Sequence, residues 1–548
     1  MEISFLLTNA EGNILEVADR KITSEILAQS CGKLTIKTCI PIINVTALWQ
    51  AGEYSVPRMK LPWSLESPCG VSFSFPLLLF LDQKYRVRYA VGLTNGIDDS
   101  HWSCKMNQEQ CCFEITFDIA IDPETVPFEI FFESSDRSIV DVLQEYRSKI
   151  LPEVPVFPIG AWDPVYCTWY AVHASLTETY LNTHAEEAVK LGFGTFIVDD
   201  GWCYDEAKRV TPETLPDWYR DIGDWKYSEC KLPNLKSVVQ YAQKLGLNYM
   251  FWVAPFFVGR RSILNNHISE FLTGLLREGF RIYDPADENI NSITAQSILT
   301  IFRTMGLDGL KIDFIDSVSP DTERPRCRKV KNYLEYLVGK MREIKPDVLI
   351  EFRQRYATFV NVGIATAFRA GDVPFDYMEN FSRCVQLRLI LGDNIPIHAD
   401  PVYFNNQESE EAVGRHMIAS LVGVPMLSME LTSISLKHKN VIRNYLSFYK
   451  KHQSTLNHGH WNFDLRNGFP VTVSCCKDDE TIIILSDATA FQRILESCSG
   501  NVIVLNMSPD NICFEGKTFD AEGIIHHNGI IPPGGRGEIL INQRSDRL

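Results

Sequence analysis

Apolar residues in this chain change their spacing twice. Up to about residue 155 they alternate with polar ones in short runs, such as 33–40 and 83–91, separated by turn residues such as Pro68-Cys69-Gly70 and Asn95-Gly96. Period-two alternation is the pattern of half-buried strands, and closely spaced turns fold such strands into an antiparallel sandwich. From about residue 460 the pattern returns, in 469–475, 481–485 and 501–505. Between these regions, short apolar runs stand at 165–170, 195–198, 248–253, 309–314, 347–352, 366–370, 394–398 and 424–428. Helical stretches separate them, most clearly 237–244, 293–305 and 330–344. Strand–helix alternation predicts a parallel sheet, and eight such units predict a closed barrel.

The predicted architecture is thus α/β: a central (β/α)8 TIM barrel over 156–457, an N-terminal antiparallel β-sandwich over 1–155 and a C-terminal one over 458–548. A length of 548 residues agrees with several domains rather than one core. Net charge of −16 argues against nucleic acid and against an anionic membrane face, both of which attract basic surfaces. The opening residues carry no basic segment before their short apolar run, and no window holds about 18 apolar residues in succession, so neither a leader nor a membrane span is expected. A cytoplasmic protein with reduced thiols is the expectation for its 15 scattered cysteines. Cys104, Cys111 and Cys112 have no histidines at zinc spacing, Gly516-Lys517-Thr518 lacks the upstream glycine of a phosphate loop, and no His-Glu-x-x-His occurs. No metal and no cofactor are expected.

A barrel of this kind carries its chemistry on the loops that follow its strands. Here those loops are rich in ionisable residues: Asp199-Asp200-Gly201-Trp202 after the second strand, Lys311-Ile312-Asp313 at the fourth, Glu351 with Arg353 and Arg355 at the fifth, Arg369 and Asp372 at the sixth, His398 and Asp400 at the seventh. A single charged residue after a strand is usually a helix cap or a solvated loop, and Asp316 is read as such a cap. A convergent set needs mutual pairing or a ligand, because buried unpaired charge is costly. Two-residue spacing puts Lys311 and Asp313 on one strand face, where the lysine keeps the carboxylate ionised, as a nucleophile requires. Apolar Val373, Pro374 and Phe375 predict a raised pKa for Asp372, as a general acid requires. Two carboxyl groups of split pKa are the minimum equipment for glycoside cleavage. Trp169, Trp202, Trp225 and Trp252 lie close to predicted strand ends, where an indole either covers the C–H face of a sugar or packs in the core. His398 is read as a pocket residue or a structural one.

The ordered series Asp199-Asp200-Gly201-Trp202, Gly223-Asp224-Trp225, Trp252-Val253-Ala254-Pro255 and Lys311-Ile312-Asp313-Phe314 resembles the α-galactosidases of glycoside hydrolase family 36, and more loosely family 27, across the whole barrel. The resemblance implies that Asp199 and Asp200 bind O4 and O6 of galactose and that Trp225 walls the sugar, with Trp252 in support. It implies Lys311 at O3 and O4, Arg369 at O2, Asp313 as nucleophile and Asp372 as acid/base. Three departures mark an atypical branch. The N-terminal domain is short. Glu351-Phe352-Arg353-Gln354-Arg355 stands where relatives carry a Cys-x-x-Gly-Gly-Gly-Arg-type loop. Arg369-Ala370-Gly371-Asp372 stands for Trp-x-Ser-Asp.

The leading function is therefore retaining hydrolysis of terminal α-D-galactosyl residues, on a small oligosaccharide or glycoside, with carboxyl groups about 5–5.5 Å apart. Alternatives on the same machinery are an α-N-acetylgalactosaminidase, an arabinosidase and a raffinose-synthase-like transglycosidase. An alternative of another class is a catalytically silent sugar-binding protein. Homo-oligomerisation is left open.

Overall fold

The structure, a computed structural model, describes residues 3–52, 61, 63–151, 153–496 and 498–541. The outermost parts of the predicted terminal domains, 1–2 and 542–548, lie outside the described residues.

The N-terminal region forms two facing sheets. One contains Phe5–Asn9, Ile14–Leu15, Lys33–Pro41, Ser64–Cys69, Ser100–Asn107 and Cys112–Ala120; the other contains Lys21–Ile22, Ala47–Gln50, Leu77–Leu81, Arg86–Leu93 and Phe128–Ser138. Their pairings are antiparallel, and the alternate residues Leu34, Ile36, Phe80, Val91, Phe113 and Ile115 fill the space between them. Cys39 and Cys112 sit on paired neighbouring strands with Cα atoms 6.2 Å apart and are joined as a disulfide. The expectation of wholly reduced thiols is corrected at this one pair: the sheet register, invisible in linear spacing, brings the two together.

The middle of the chain is the barrel. Its strands are β1 Val165–Cys167, β2 Thr195–Val198, β3 Asn248–Val253, β4 Gly309–Ile312, β5 Leu349–Arg353, β6 Ala367–Arg369, β7 Ile397–His398 and β8 Met426–Leu427. Each pairs in parallel with its neighbours in chain order, β8 pairs back onto β1, and a parallel bridge from His398 to Val424 closes the ring. Helices Glu178–Leu191, Glu288–Met305, Tyr377–Leu391, Glu410–Ser420 and Leu436–Lys451 each begin with a Thr, Asp or Ser side chain that accepts a first-turn N–H. The unit after β5 departs from the predicted alternation. Residues 354–366 hold only the short 3-10 turns Gln354–Tyr356 and Phe359–Asn361, a length too small for a helix and two loops. The N-terminal helix Ile139–Ile150 packs there instead, against Phe359–Asn361 and Tyr377–Leu391.

The C-terminal region carries a seven-stranded sheet and a two-stranded ribbon. One pair, Glu480–Leu485 with Gly500–Asn506, runs parallel, because the chain crosses over through Ala488–Ala490 and Phe491–Leu495 rather than turning back in a hairpin. Among the described residues, no helix is long and apolar enough to cross a membrane.

The N-terminal sandwich is joined to the barrel by polar contacts. Asp99 accepts backbone N–H bonds from Asp321, Arg326 and Cys327 at 2.8, 2.9 and 2.7 Å, and so caps helix Cys327–Ile344 from another domain. Trp49 donates to Gln386 at 2.9 Å, and Asn361 donates to the carbonyl of Val71 at 2.9 Å. Removing a buried carboxylate that serves three N–H groups leaves them unsatisfied. Asp99→Ala is therefore expected to lose about 2–3 kcal/mol of stability, measured by urea unfolding.

Candidate active site

The site is built on the C-terminal ends of β2 to β7. Asp199 follows β2 directly, and the turn after it needs glycine: Gly201 has φ +108, and a Cβ there would lie 2.5 Å from the Cα of Ala174. Asp199 Oδ2 is 2.5 Å from Lys311 Nζ and takes a contact from Cys167 Sγ at 3.2 Å. Lys311 Nζ is 3.9 Å from Asp313 Oδ2, and both side chains are buried. Burial alone lowers a lysine pKa; the Asp199 carboxylate overrides it and holds Lys311 above its ordinary range.

Asp313 is held from three sides. Trp252 Nε1 donates to it at 3.2 Å, the N–H of Phe314 donates at 2.9 Å, and Arg353 Nε lies at 3.4 Å. Burial pushes its pKa up; Arg353, then Lys311 and Arg369, pull it down to about 2. Asp313 is thus ionised at any working pH. Arg353 contributes more than the lysine that the strand spacing singled out.

Arg353 also reaches further. Its Nη1 lies 3.9 Å from Asp372 Oδ2 and its Nη2 3.5 Å from Asp316 Oδ2, while its guanidinium packs over the Phe314 ring at 4.6 Å. Phe314 adopts φ +57, a left-handed backbone that turns the chain after Asp313 back beneath the arginine. Asp316 is therefore an arginine anchor rather than the helix cap expected of it.

Asp372 departs from expectation. Its side chain is 50% exposed, and Arg369 Nη1 lies 2.9 Å from Oδ1. Burial of its surroundings raises its pKa, but Arg369 and then Arg353 outweigh that, and the carboxyl stands below the ordinary Asp value. The neighbours Val373, Pro374 and Phe375 are apolar, as the sequence shows, yet two guanidiniums decide the sign.

Behind Asp372 runs a buried chain of charges. Arg369 Nη1 is bonded to Asp400 Oδ1, and Arg369 Nε lies 3.7 Å from Glu351. Glu351 lies 2.6 Å from His398 Nδ1, and His398 Nε2 lies 3.1 Å from the carbonyl oxygen of Ala161. Glu351 and His398 therefore brace Arg369 from below. Asp400 also accepts from Tyr170 at 2.9 Å and from the N–H of Val373 at 2.8 Å; burial raises its pKa to about 7. Asp200 accepts from Trp218 Nε1 at 2.7 Å, and burial raises it likewise to about 7. Trp218 and Tyr170 were missed by sequence reasoning, since each lies outside a recognisable motif.

Other singled-out residues take different places. Trp202 is fully buried, stacked on Phe251 with centroids 5.0 Å apart, and donates to the carbonyl of Trp252 at 2.9 Å. It packs directly behind the Trp252 strand end. Trp225 is buried against Trp202 and Trp252, with centroids 6.3 and 6.1 Å away. Arg355 packs over Phe73 of the N-terminal region at 4.5 Å. It lies in the 3-10 turn Gln354–Tyr356 that follows the strand carrying Arg353.

Arg353 gives the pH dependence of any reaction here a defined sign. Removing its charge makes both ionised carboxylates less favoured, so both pKa values rise. Arg353→Gln is expected to move the acid limb and the alkaline limb of the kcat/KM profile to higher pH together. A profile displaced on neither limb would show that the arginine is electrostatically irrelevant.

The fold defines a class: a closed parallel barrel between β-domains, the architecture of the family 36 α-galactosidase structures. One such structure is the raffinose complex of a variant of α-galactosidase AgaA from Geobacillus stearothermophilus, with TM-score 0.63 at 14% identity, covering 94% of this chain and 76% of that one. Another is α-galactosidase AgaB from the same organism, with TM-score 0.61 at 14% identity, covering 81% and 66%. Residues 135–283 match the Melibiase family model. An Escherichia coli α-galactosidase is 32% identical over 114 residues, 20% of this chain and 15% of its own. The α-galactosidase Mel36A of Lactobacillus acidophilus is 23% identical over 305 residues, 52% of this chain and 38% of its own. The chain is accordingly similar to the melibiases over residues 135–283 and shares its fold with the family 36 α-galactosidase structures. The alignments span less than half the length of these two curated relatives.

Proposed function

We propose that the protein is a retaining exo-α-galactosidase that hydrolyses terminal α-D-galactosyl residues of small oligosaccharides or glycosides. The observation that carries this is the pair of aspartates on one arginine: Asp313, buried and ionised, and Asp372, at the open rim, both within 4 Å of the Arg353 guanidinium. In the first step Asp313 Oδ attacks the anomeric carbon while the bond to the leaving oxygen breaks, and that oxygen takes the proton of Asp372. In the second, Asp372 takes a proton from water, the water oxygen bonds to the anomeric carbon, and the Asp313 ester is released. Lys311 and Asp199 supply charged hydrogen-bond partners for ring hydroxyls beside the attacking carboxylate, Asp200 adds a further carboxyl, and Trp225 and Trp252 bound the sugar. Arg369 positions Asp372, with Glu351, His398 and Asp400 behind it. Cleavage by these side chains calls for no cofactor.

The test is product stereochemistry. Proton NMR of an α-galactoside digest in its first minutes is expected to show α-galactose before mutarotation. The β anomer appearing first would overturn double displacement, and release of no sugar from α-galactosides at an acidic or neutral pH would overturn the activity.

A further inference from the structure

Phe375 is a large apolar side chain left 65% exposed three residues after Asp372. Scattered exposed hydrophobics are ordinary on a protein surface. This one differs because the segment that carries it is pinned throughout. The N–H of Gly371 donates to Gln354 Oε1 at 2.9 Å, Arg383 donates to the carbonyl of Asp372 at 3.0 Å, and the N–H of Val373 is held by Asp400. Immediately after it, Asp376 accepts from Glu379 as the cap of helix Tyr377–Leu391. The ring stands in water because a fixed turn holds it there.

It does not stand alone. Phe375 packs against Tyr403 with centroids 5.3 Å apart and planes at 52°, and Tyr403 packs against Tyr170 at 6.0 Å. Tyr403 is equally fixed: the N–H of Val402 donates to the carbonyl of Met426, and that of Phe404 donates to Met429 Sδ. Tyr170 reaches Asp400, which binds Arg369, which binds Asp372. A line of aromatic rings therefore runs from exposed rim to acid, and the three-residue separation keeps Phe375 within ~10 Å of Asp372 along the chain.

We propose that Phe375 and Tyr403 form the leaving-group subsite, an aromatic platform that takes the C–H face of the pyranose on the glycosidic oxygen. The proposal rests on the galactosidase reading, in which Asp372 protonates that oxygen, so the departing sugar must lie on the Asp372 side of the mouth. An apolar ring face beside a proton donor suits a pyranose, which is apolar on its axial C–H surface and polar around its edge.

The experiment compares kcat/KM for melibiose, whose leaving group is glucose, with that for α-galactosyl fluoride, whose leaving group has no ring. In Phe375→Ala the melibiose-to-fluoride ratio is expected to fall about ten-fold, mostly through KM, and Phe375→Trp is expected to restore it. A ratio within about two-fold of wild type in the alanine variant overturns the platform alone. A wild type inert toward the fluoride overturns the galactosidase reading and the platform with it.

Discussion

Asp313→Gly is expected to lower kcat/KM on α-galactosides by about 10⁴-fold or more, the scale seen when a covalent nucleophile is removed. No neighbour can replace it. Asp199 is bound to Lys311, and Asp316 is turned to Arg353 Nη2. The variant leaves a space the size of a small anion beside Lys311, Arg353 and the Trp252 indole N–H, each of which loses its contact with Asp313. Added azide is expected to enter that space and attack the anomeric carbon of α-galactosyl fluoride from the face Asp313 used. The product is then β-galactosyl azide, identified by NMR. Removing one partner of a buried charge pair also destabilises the fold, by about 3–5 kcal/mol, so thermal unfolding with and without azide is measured alongside. Activity within about ten-fold of wild type would show that another group is the nucleophile.

The barrel was legible because its strands are read from one property, continuous apolar runs between helical segments, and packing preserves that order. Runs such as 248–253 coincide with strand β3, while 165–170 and 424–428 form shorter strands, the first running on into the short helix Trp169–Val172. The missing helix after β5 was not legible, because the element that covers the gap, Ile139–Ile150, lies more than 200 residues earlier in the chain. Within the site, residues adjacent in sequence were the easiest to group. The structure does bring Lys311 and Asp313 together, and Asp199 beside them. What sequence could not supply was the sign of a pKa set by side chains on other strands. Asp372 has apolar sequence neighbours, but Arg353 comes from β5 and Arg369 from β6. Trp202 shows the same limit: its motif says that it follows a strand end, and only packing decides that its indole N–H donates to the Trp252 carbonyl.

The low pKa of Asp372 makes its replacement informative. A carboxyl held below its ordinary range is rarely protonated at neutral pH, so kcat/KM is expected to rise as pH falls and to decline again only as the pH approaches the pKa of Asp313, about 2. In Asp372→Ala the proton donor is gone. Melibiose, whose sugar alkoxide cannot leave unprotonated, is expected to lose about 10³–10⁴-fold in kcat/KM. The fluoride, which leaves without a full proton transfer, is expected to lose far less in forming the Asp313 ester. That ester then accumulates, because no base activates water. Azide needs no base, so it is expected to accelerate turnover and to give α-galactosyl azide, the opposite anomer to that from Asp313→Gly. The half-exposed position of Asp372, and the grip of Arg369 on Asp400 and Glu351, make loss of the fold an improbable cause of these effects. Identical anomers from the two variants would mean that the aspartates do not act on opposite faces of the sugar. An Asp372→Ala enzyme equally slow on melibiose and fluoride would remove the acid role from that residue.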